Sequence, residues 1–297
     1  MQITPDTALL VDSSIYIFRS WFSNDPEDFT DHQGQPTNAV YGFTGFLCTL
    51  LEQTRAREIG LAFDESLTTS FRNEIFPEYK ANRDPAPIEL KRQFAWCKEI
   101  GAALGLACFA DNRYEADDLI GSLARHHREA GKHLCVVTAD KDLTQLIYGE
   151  DIWWDFSRRN KLDRNGIKDK FGVYPEQIAD FLAITGDKVD NIPGVPGVGP
   201  KGASALLTHF GDLDSLFARV DEIAFLRIRG AKSIHAKLKA NRDLVKLSRR
   251  LTGIHEHAEP VLEAPQITRG TVNQDALNEI FDKLNFGPML RRRCLNL

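Results

Sequence analysis

Short apolar runs and helix-period segments alternate through the first half of the chain. The runs are Ala8 to Val11, Ile59 to Phe63, Leu106 to Phe109 and Leu134 to Thr138. Between them, apolar residues at three- and four-residue spacing predict helices near Asn38 to Gln53, Ile88 to Ala103 and Ala116 to Glu129. Runs with so little polar alternation read as strands buried on both faces. Strands alternating with helices call for a parallel sheet flanked by helices. The aromatic run Ile152 to Phe156 adds a fifth strand. From Glu176 onward the pattern is helical alone, interrupted by the glycine and proline cluster IPGVPGVGPKG. The chain is therefore expected to divide near Tyr174 into an α/β core, residues 1–174, and a helical region, residues 175–297.

Acidic residues fall at the ends of these runs. Asp12 closes ALLVD and Asp64 closes IGLAFD; Glu115, Asp117 and Asp118 open a helix; Asp140 and Asp142 follow the strand LCVV; Asp187 and Asp190 sit in GDKVDN. Each cluster alone has an ordinary reading as a helix cap or a turn. Together, beyond the carboxyl ends of parallel strands, they converge where such sheets place their ligands. Two like charges about 5 Å apart repel by roughly 3 kcal/mol at an effective dielectric near 20, so crowded acids call for cations. Without histidine or cysteine at ligand spacing, the donor set is all oxygen, which suits Mg²⁺ or Mn²⁺ rather than zinc. No phosphate-binding GxxxxGK[ST] loop and no GxGxxG turn is present, which argues against nucleotide hydrolysis and dinucleotide redox chemistry.

Composition changes the picture in three places. The net charge of −5 gives no global sign of nucleic acid, yet from Lys201 to Arg250 basic residues outnumber acidic ones about two to one. The five cysteines, Cys48, Cys97, Cys108, Cys135 and Cys294, form no CxxC pair and suggest a reduced compartment. No apolar stretch approaches the roughly 18 residues needed to cross a bilayer, so the expectation is a soluble, cytoplasmic protein, nucleoid-associated if bacterial.

Two connections carry further chemistry. Glu65 to Pro87 is long for a loop and sets Arg72, Lys80 and Arg83 beside Phe71, Phe76 and Tyr79. Cations interleaved with rings suit an unpaired nucleic acid strand. In PGVPGVGPKGASALL, residues 193–207, Gly197, Val198 and Gly199 precede a helix. Paired glycines there let backbone amides approach a phosphate.

These strings resemble, in order and spacing, those of the 5′ nucleases related to the N-terminal domain of bacterial DNA polymerase I, phage 5′ exonucleases and flap endonucleases. AVYGF, YKANR, YEADD, TADKDL, GDKVDN, PGVPGVGPK and LNFGPML carry the likeness nearly end to end. The resemblance implies a PIN-like parallel twisted sheet with a helical arch near residues 65–95 and a C-terminal helix-hairpin-helix region. It implies a two-metal, structure-selective phosphodiesterase acting on DNA with a 5′ flap, a nick or a free 5′ end, and on RNA in hybrids, as a monomer. Asp12, Asp64, Glu115 and Asp117 resemble the ligands of one ion, supported by Asp118. Asp140, Asp142, Asp187 and Asp190 resemble the second group. Lys80 and Arg83 would stand by the scissile phosphate, Tyr79 would stack on a base, and Arg72 would contact a phosphate. Gly197, Val198, Gly199 and Lys201 match the duplex-binding hairpin, where K⁺ is an implied companion.

Departures are few: Ser13 and Ser14 stand where many relatives have glycine, and Gly202 where threonine is frequent. The chain is expected to be a stand-alone nuclease, with an excised domain of a longer protein as the alternative. Two other readings compete. An inactive DNA-junction clamp would keep the hairpin and the arch, and a small-molecule metallophosphatase would leave both without a purpose.

Overall fold

Residues 3–66 and 68–297 are described in this computed structural model; Leu67, inside the expected arch, lies outside them. Strand β1 (Ala8–Asp12) leads into helix α1 (Ser13–Ser23), followed by α2 (Asn38–Thr54) and β2 (Ile59–Asp64). Then come α3 (Phe71–Ile75), α4 (Ile88–Ala103), β3 (Ala107–Asp111), α5 (Ala116–Glu129), β4 (Leu134–Val137), β5 (Ile152–Asp155), β6 (Asn160–Leu162) and α6 (Arg164–Phe171). The helical half contains α7 (Ile178–Thr185), α8 (Pro200–Phe210), α9 (Leu213–Ala218), α10 (Ala231–Ala240) and α11 (Arg242–Thr252). It closes with α12 (Glu259–Glu263), α13 (Gln274–Lys283) and α14 (Pro288–Leu295).

The six strands lie in the order β3-β2-β1-β4-β5-β6. β1 to β5 run parallel and β6 pairs antiparallel with β5. Val11 pairs with both Leu61 and Val137, so Asp12, Asp64 and Thr138 emerge along one edge of the sheet. Alternate residues of each strand feed two separate cores. Leu10 and Val136 face α5 and much of the helical half, while Leu9, Val11, Leu61 and Phe63 face α2, α4, α13 and α14. Full burial of a large apolar side chain such as Phe43, Phe63 or Phe281 contributes about 1.5–3 kcal/mol.

Four features differ from expectation. Helix α1 was not foreseen, because SSIYIFRSWFS begins with two serines and leaves Phe18 and Phe22 facing solvent. Strand β6 and helix α6 are too short to show a period. The final helices do not stay with the helical half: Leu277, Phe281, Leu290 and Cys294 pack into the α2 and α4 side of the sheet. The segment expected as a helical arch is helical only in α3 and from α4 onward. Residues 77–82 form turns, with Lys80 at φ +55°, and residues 84–87 have no regular structure.

Candidate metal and nucleic-acid site

The sheet's carboxyl edge gathers the acids from five places. Asp12 ends β1 and caps α1, its Oδ1 accepting from Ile15 N at 3.3 Å. Thr138, just past β4, donates to Asp12 Oδ2 at 2.8 Å. Asp64 ends β2: its amide donates to Ser14 Oγ (2.9 Å) and its Oδ1 accepts from Ala116 N at the start of α5 (2.9 Å). Thr138 Oγ1 also accepts from Asp140 N (2.9 Å), whose Oδ1 accepts from Asp142 N (2.8 Å). A two-residue bridge between Asp187 and Ile192 closes the turn that presents Asp187 and Asp190.

Burial comes first among the causes that push these acids up, and mutual repulsion adds to it. The Asp12 carboxyl rises to about 7, with Asp64 and Asp140 as neighbouring charges. Asp142 also rises to about 7 through burial and Asp140, with Asp187 and Asp190 adding to the field. Asp117 is pushed well above the usual range by burial and by Asp140, Asp12 and Asp64, which places it among those three. Burial raises Asp140 as well. Glu115 goes the other way: burial alone would raise it, but the Lys80 and Arg72 cations hold it below the ordinary value. Asp12, Asp64, Asp117 and Asp140 thus share one field, and Asp140, Asp142, Asp187 and Asp190 share an adjoining one. Among the described residues, no three acids form a ready-made ligand cage.

Cations of the chain stand among the acids instead. The Lys80 ammonium pairs with Glu115 and lies 4.0 Å from Asp190, and Arg83 pairs with Asp190. Lys141 bridges Asp187 (2.5 Å) and Asp142 (3.3 Å). Lys141 was not singled out in the sequence, although its place inside TADKD, between two acids, is a usable signal. The 76–87 segment is docked against the Asp187–Asn191 turn: Lys80 N donates to Asp190 O (3.0 Å), Asn82 Nδ2 to Lys188 O (2.9 Å) and Asn191 Nδ2 to Glu78 O (2.7 Å).

Several expected contacts are corrected by these positions. Arg72 is 3% exposed and does not face a phosphate. Its guanidinium donates to both oxygens of Asp118 (2.7 and 2.8 Å), to Glu115 Oε2 (2.9 Å) and to the Leu251 and Gly253 carbonyls (2.9 Å each). Asp118 is fully buried and also accepts from His255 N and Glu115 N, so no lone pair is free to support an ion. It holds Arg72, and through Arg72 it fixes Glu115. The Tyr79 ring is packed with Ile192 and Leu251, and its hydroxyl donates to Glu115 at 2.9 Å and reaches Asp190 at 3.3 Å. In this conformation it cannot stack on a base.

At the hairpin, Gly197 has φ +75°, a left-handed backbone that favours glycine, and the flexible Lys237 ammonium lies 2.4 Å from where an added Cβ would project. Gly199 is the extended N-cap of α8, with open space where a Cβ would project. Val198 is 4% exposed and serves the core, while Lys201 is exposed on α8. Lys237, half-buried beside Gly197, was missed because it lies 40 residues away in sequence.

Comparison with known proteins follows the same architecture. The sequence profile described as "5'-3' exonuclease, N-terminal resolvase-like domain" matches residues 7–172, and "5'-3' exonuclease, C-terminal SAM fold" matches residues 173–275. DNA polymerase I of Pseudomonas aeruginosa is 41% identical over 279 residues, covering 94% of the chain, and that of Bacillus caldotenax is 35% identical over 289 residues, covering 96%. The chain spans about a third of these relatives, 30% and 32% of their length. Among solved structures, the bacteriophage T5 D15 flap endonuclease, in a pseudo-enzyme–product complex with DNA and metal ions, has a TM-score of 0.68 at 20% identity, covering 98% of each chain. The catalytic core of Rad2 in complex with DNA substrate has a TM-score of 0.60 at 16% identity, covering 99% of this chain and 92% of that one. The fold is therefore a PIN-like, resolvase-type sheet domain followed by a SAM-like helical domain.

Proposed function

Since the chain belongs to the 5′-3′ exonuclease family, we propose that it is a divalent-metal-dependent, structure-selective 5′ nuclease. It would hydrolyse phosphodiester bonds at DNA 5′ ends, nicks and 5′ flaps, and in RNA of hybrids. The observation that supports this most is the gathering of Asp12, Asp64, Asp117, Asp140, Asp142 and Asp187 at one sheet edge, beneath a segment that brings Lys80 and Arg83 to the same place.

The donor set fits hard divalent cations. It is all oxygen, four of its carboxyls (Asp12, Asp117, Asp140 and Asp142) are held up by burial and repulsion, and Asp142 Oδ1 is buried without a hydrogen-bond donor, Lys141 standing 3.3 Å away. Asp12, Asp64, Glu115, Asp117 and Asp140 would hold one ion, and Asp140, Asp142, Asp187 and Asp190 a second, with Mg²⁺ preferred and Mn²⁺ acceptable. When bound, the ions would lower the pKa of water and stabilise charge on the attacked phosphate. The chain's own part is electrostatic and positional. Lys80 and Arg83 would exchange their carboxylate partners for phosphate oxygens and offset the charge that grows in the transition state. Undocking of residues 76–87 would free Tyr79 and admit the strand. The hairpin around Gly197, with Lys201, would hold duplex phosphates without reading sequence. K⁺ beside that turn belongs to the same proposal, although the Lys237 ammonium already stands there. So do a monomeric state, action in replication and repair, a domain division near Tyr174, and a cytoplasmic site. No helix among the described residues is long and apolar enough to cross a membrane.

The test is a panel of flap, nicked, blunt and single-stranded DNA with Mg²⁺, Mn²⁺ and EDTA. Metal-dependent cleavage that favours the junctions is the expected result. Hydrolysis of a generic phosphomonoester with no DNA cleavage would replace the proposal by the phosphatase reading, and junction binding without cleavage would replace it by the clamp.

A further inference from the structure

The sheet edge carries a second concavity that the proposed chemistry does not use. It has a volume of about 780 Å³ and lies between α2 and the β5–β6 hairpin. Phe46, Trp154 and Phe156 supply its aromatic wall, and Arg159 and Lys161 its polar rim. Glycine makes it possible: an added Cβ on Gly45 of α2 would project into open space, so the helix presents backbone rather than bulk to the hollow.

Charge separates this hollow from an ordinary surface dip. None of its lining residues is acidic. Arg158 is drawn to Asp155 at 3.8 Å, whereas Arg159 and Lys161 have no ion pair among the described residues. The Lys161 ammonium rests over the Trp154 ring, 4.4 Å from its centroid, and Arg159 holds a left-handed backbone, φ +52°, at the hairpin turn. Two cations without an ion pair among the described residues thus line the hollow, Lys161 over the buried Trp154 ring and Arg159 exposed at the rim.

Tyr16 of α1 supports the hollow's aromatic wall from behind. Phe156 N donates to Tyr16 Oη at 3.1 Å, and the Tyr16 ring stacks on Phe46 with centroids 4.1 Å apart. Tyr16 lies about one helical turn along α1 from Asp12, which caps that helix.

We propose that the α2/β5–β6 hollow binds an unpaired strand of the DNA substrate, with Phe156 and Phe46 offering faces to a base and Arg159 and Lys161 meeting the flanking phosphates. Cations with stacking rings are the chemistry of single-strand binding. Bases inside a duplex are already stacked on one another and present no free face to a ring. An acidic peptide would satisfy the cations and leave the rings unused. The size falls within the roughly 300–1,000 Å³ of small-ligand pockets, room for a stacked nucleotide but not for a double helix. The inference rests on the nuclease reading for the identity of the strand.

The experiment compares the parent with Arg159→Ala/Lys161→Ala and with Phe156→Leu. Anisotropy of labelled oligothymidine, blunt duplex and 5′-flap DNA is read in Ca²⁺, with melting temperatures to confirm folding. The double variant should lose about tenfold or more in oligothymidine affinity and keep its blunt-duplex affinity within about twofold. Its salt slope should become shallower by roughly 1.4, about 0.7 for each lost phosphate contact. Phe156→Leu should lose about five- to a hundredfold for oligothymidine, in line with one base–ring stack. Unchanged oligothymidine binding in both variants, an equal loss for duplex and single strand, or equally effective competition by polyglutamate would overturn the proposal. A parent that binds oligothymidine through these residues but cuts no flap would sink the nuclease reading while supporting the hollow as a single-strand site.

Discussion

Replacing Arg72 with methionine removes a guanidinium but keeps a long apolar stem, which isolates the consequence of its charge. In the folded chain, Arg72 is 3% exposed and its five hydrogen bonds tie α3 to the first turn of α5 and to the carbonyl end of α11. Its loss leaves Asp118 buried without a counter-charge and the Leu251 and Gly253 carbonyls without their donor. Breaking one side of a buried ion pair costs about 3–5 kcal/mol. At roughly 2–4 °C per kcal/mol for a protein of this size class, the melting temperature should fall by roughly 6–20 °C. The companion variant Asp118→Leu should fall by a similar amount. Arg72→Met/Asp118→Leu should recover part of the loss, because no unpaired charge then remains, and the double-mutant cycle should give a coupling of about 2 kcal/mol or more. The assay is thermal unfolding followed by circular dichroism, beside duplex affinity in Ca²⁺. A variant that melts like the parent yet binds DNA more weakly would refute the reasoning and return Arg72 to a phosphate-contact role.

Other outcomes follow from the same geometry. Asp117→Asn should raise the melting temperature of the metal-free protein, because it removes a carboxylate facing Asp12, Asp64 and Asp140, while single-turnover cleavage falls by orders of magnitude; a lower melting temperature would contradict the assigned position. Lys80→Ala should slow single-turnover cleavage at least a hundredfold and leave Ca²⁺-supported substrate affinity within about threefold, as expected for a charge that matters in the transition state; equal losses in both would contradict that role. Asp12 and Asp142 titrate near 7 in the fold, above the ordinary carboxylate value, so the folded state binds more protons than the unfolded one between about pH 4 and 7. The metal-free protein should therefore gain stability as pH falls from 7.5 to 5.5, and the thermal stabilisation by Mg²⁺ should be largest at the higher pH; a Mg²⁺ effect independent of pH would speak against these acids as ligands. Gly197→Val should weaken duplex binding and lower stability, whereas Gly199→Ala should be nearly neutral in both, by titration and melting; the reverse order would overturn the hairpin assignment.

The parallel sheet and the acids at its edge were legible because both depend on local order. An apolar run sets a strand, and the residue that ends the run is carried to the edge where its neighbours end. Asp12, Asp64 and Asp140 needed nothing further. The role of Arg72 was not legible, since its partners lie 46 residues away at Asp118 and 179 away at Leu251, and a charged residue in a polar stretch reads as exposed. The docking of residues 76–87 likewise rests on contacts more than 100 residues apart, between Asn82 and Lys188 or Asn191 and Glu78. Paired glycines in the sequence do not say which of them needs its freedom. The backbone shows that Gly197 holds a positive φ and Gly199 does not.

Metal-dependent 5′ cleavage is tested most directly by a single-turnover time course on a 5′-flap duplex labelled at its 5′ end, begun by adding Mg²⁺ to enzyme and DNA equilibrated in EDTA-treated buffer. No cleavage should occur before the addition. After it, labelled fragments with 3′-hydroxyl ends should be released near the junction, at a rate that collapses in Asp12→Asn and Asp142→Asn without loss of binding. Intact substrate after Mg²⁺ addition, with the enzyme bound and folded, or undiminished cleavage by both aspartate variants, would contradict the proposed mechanism.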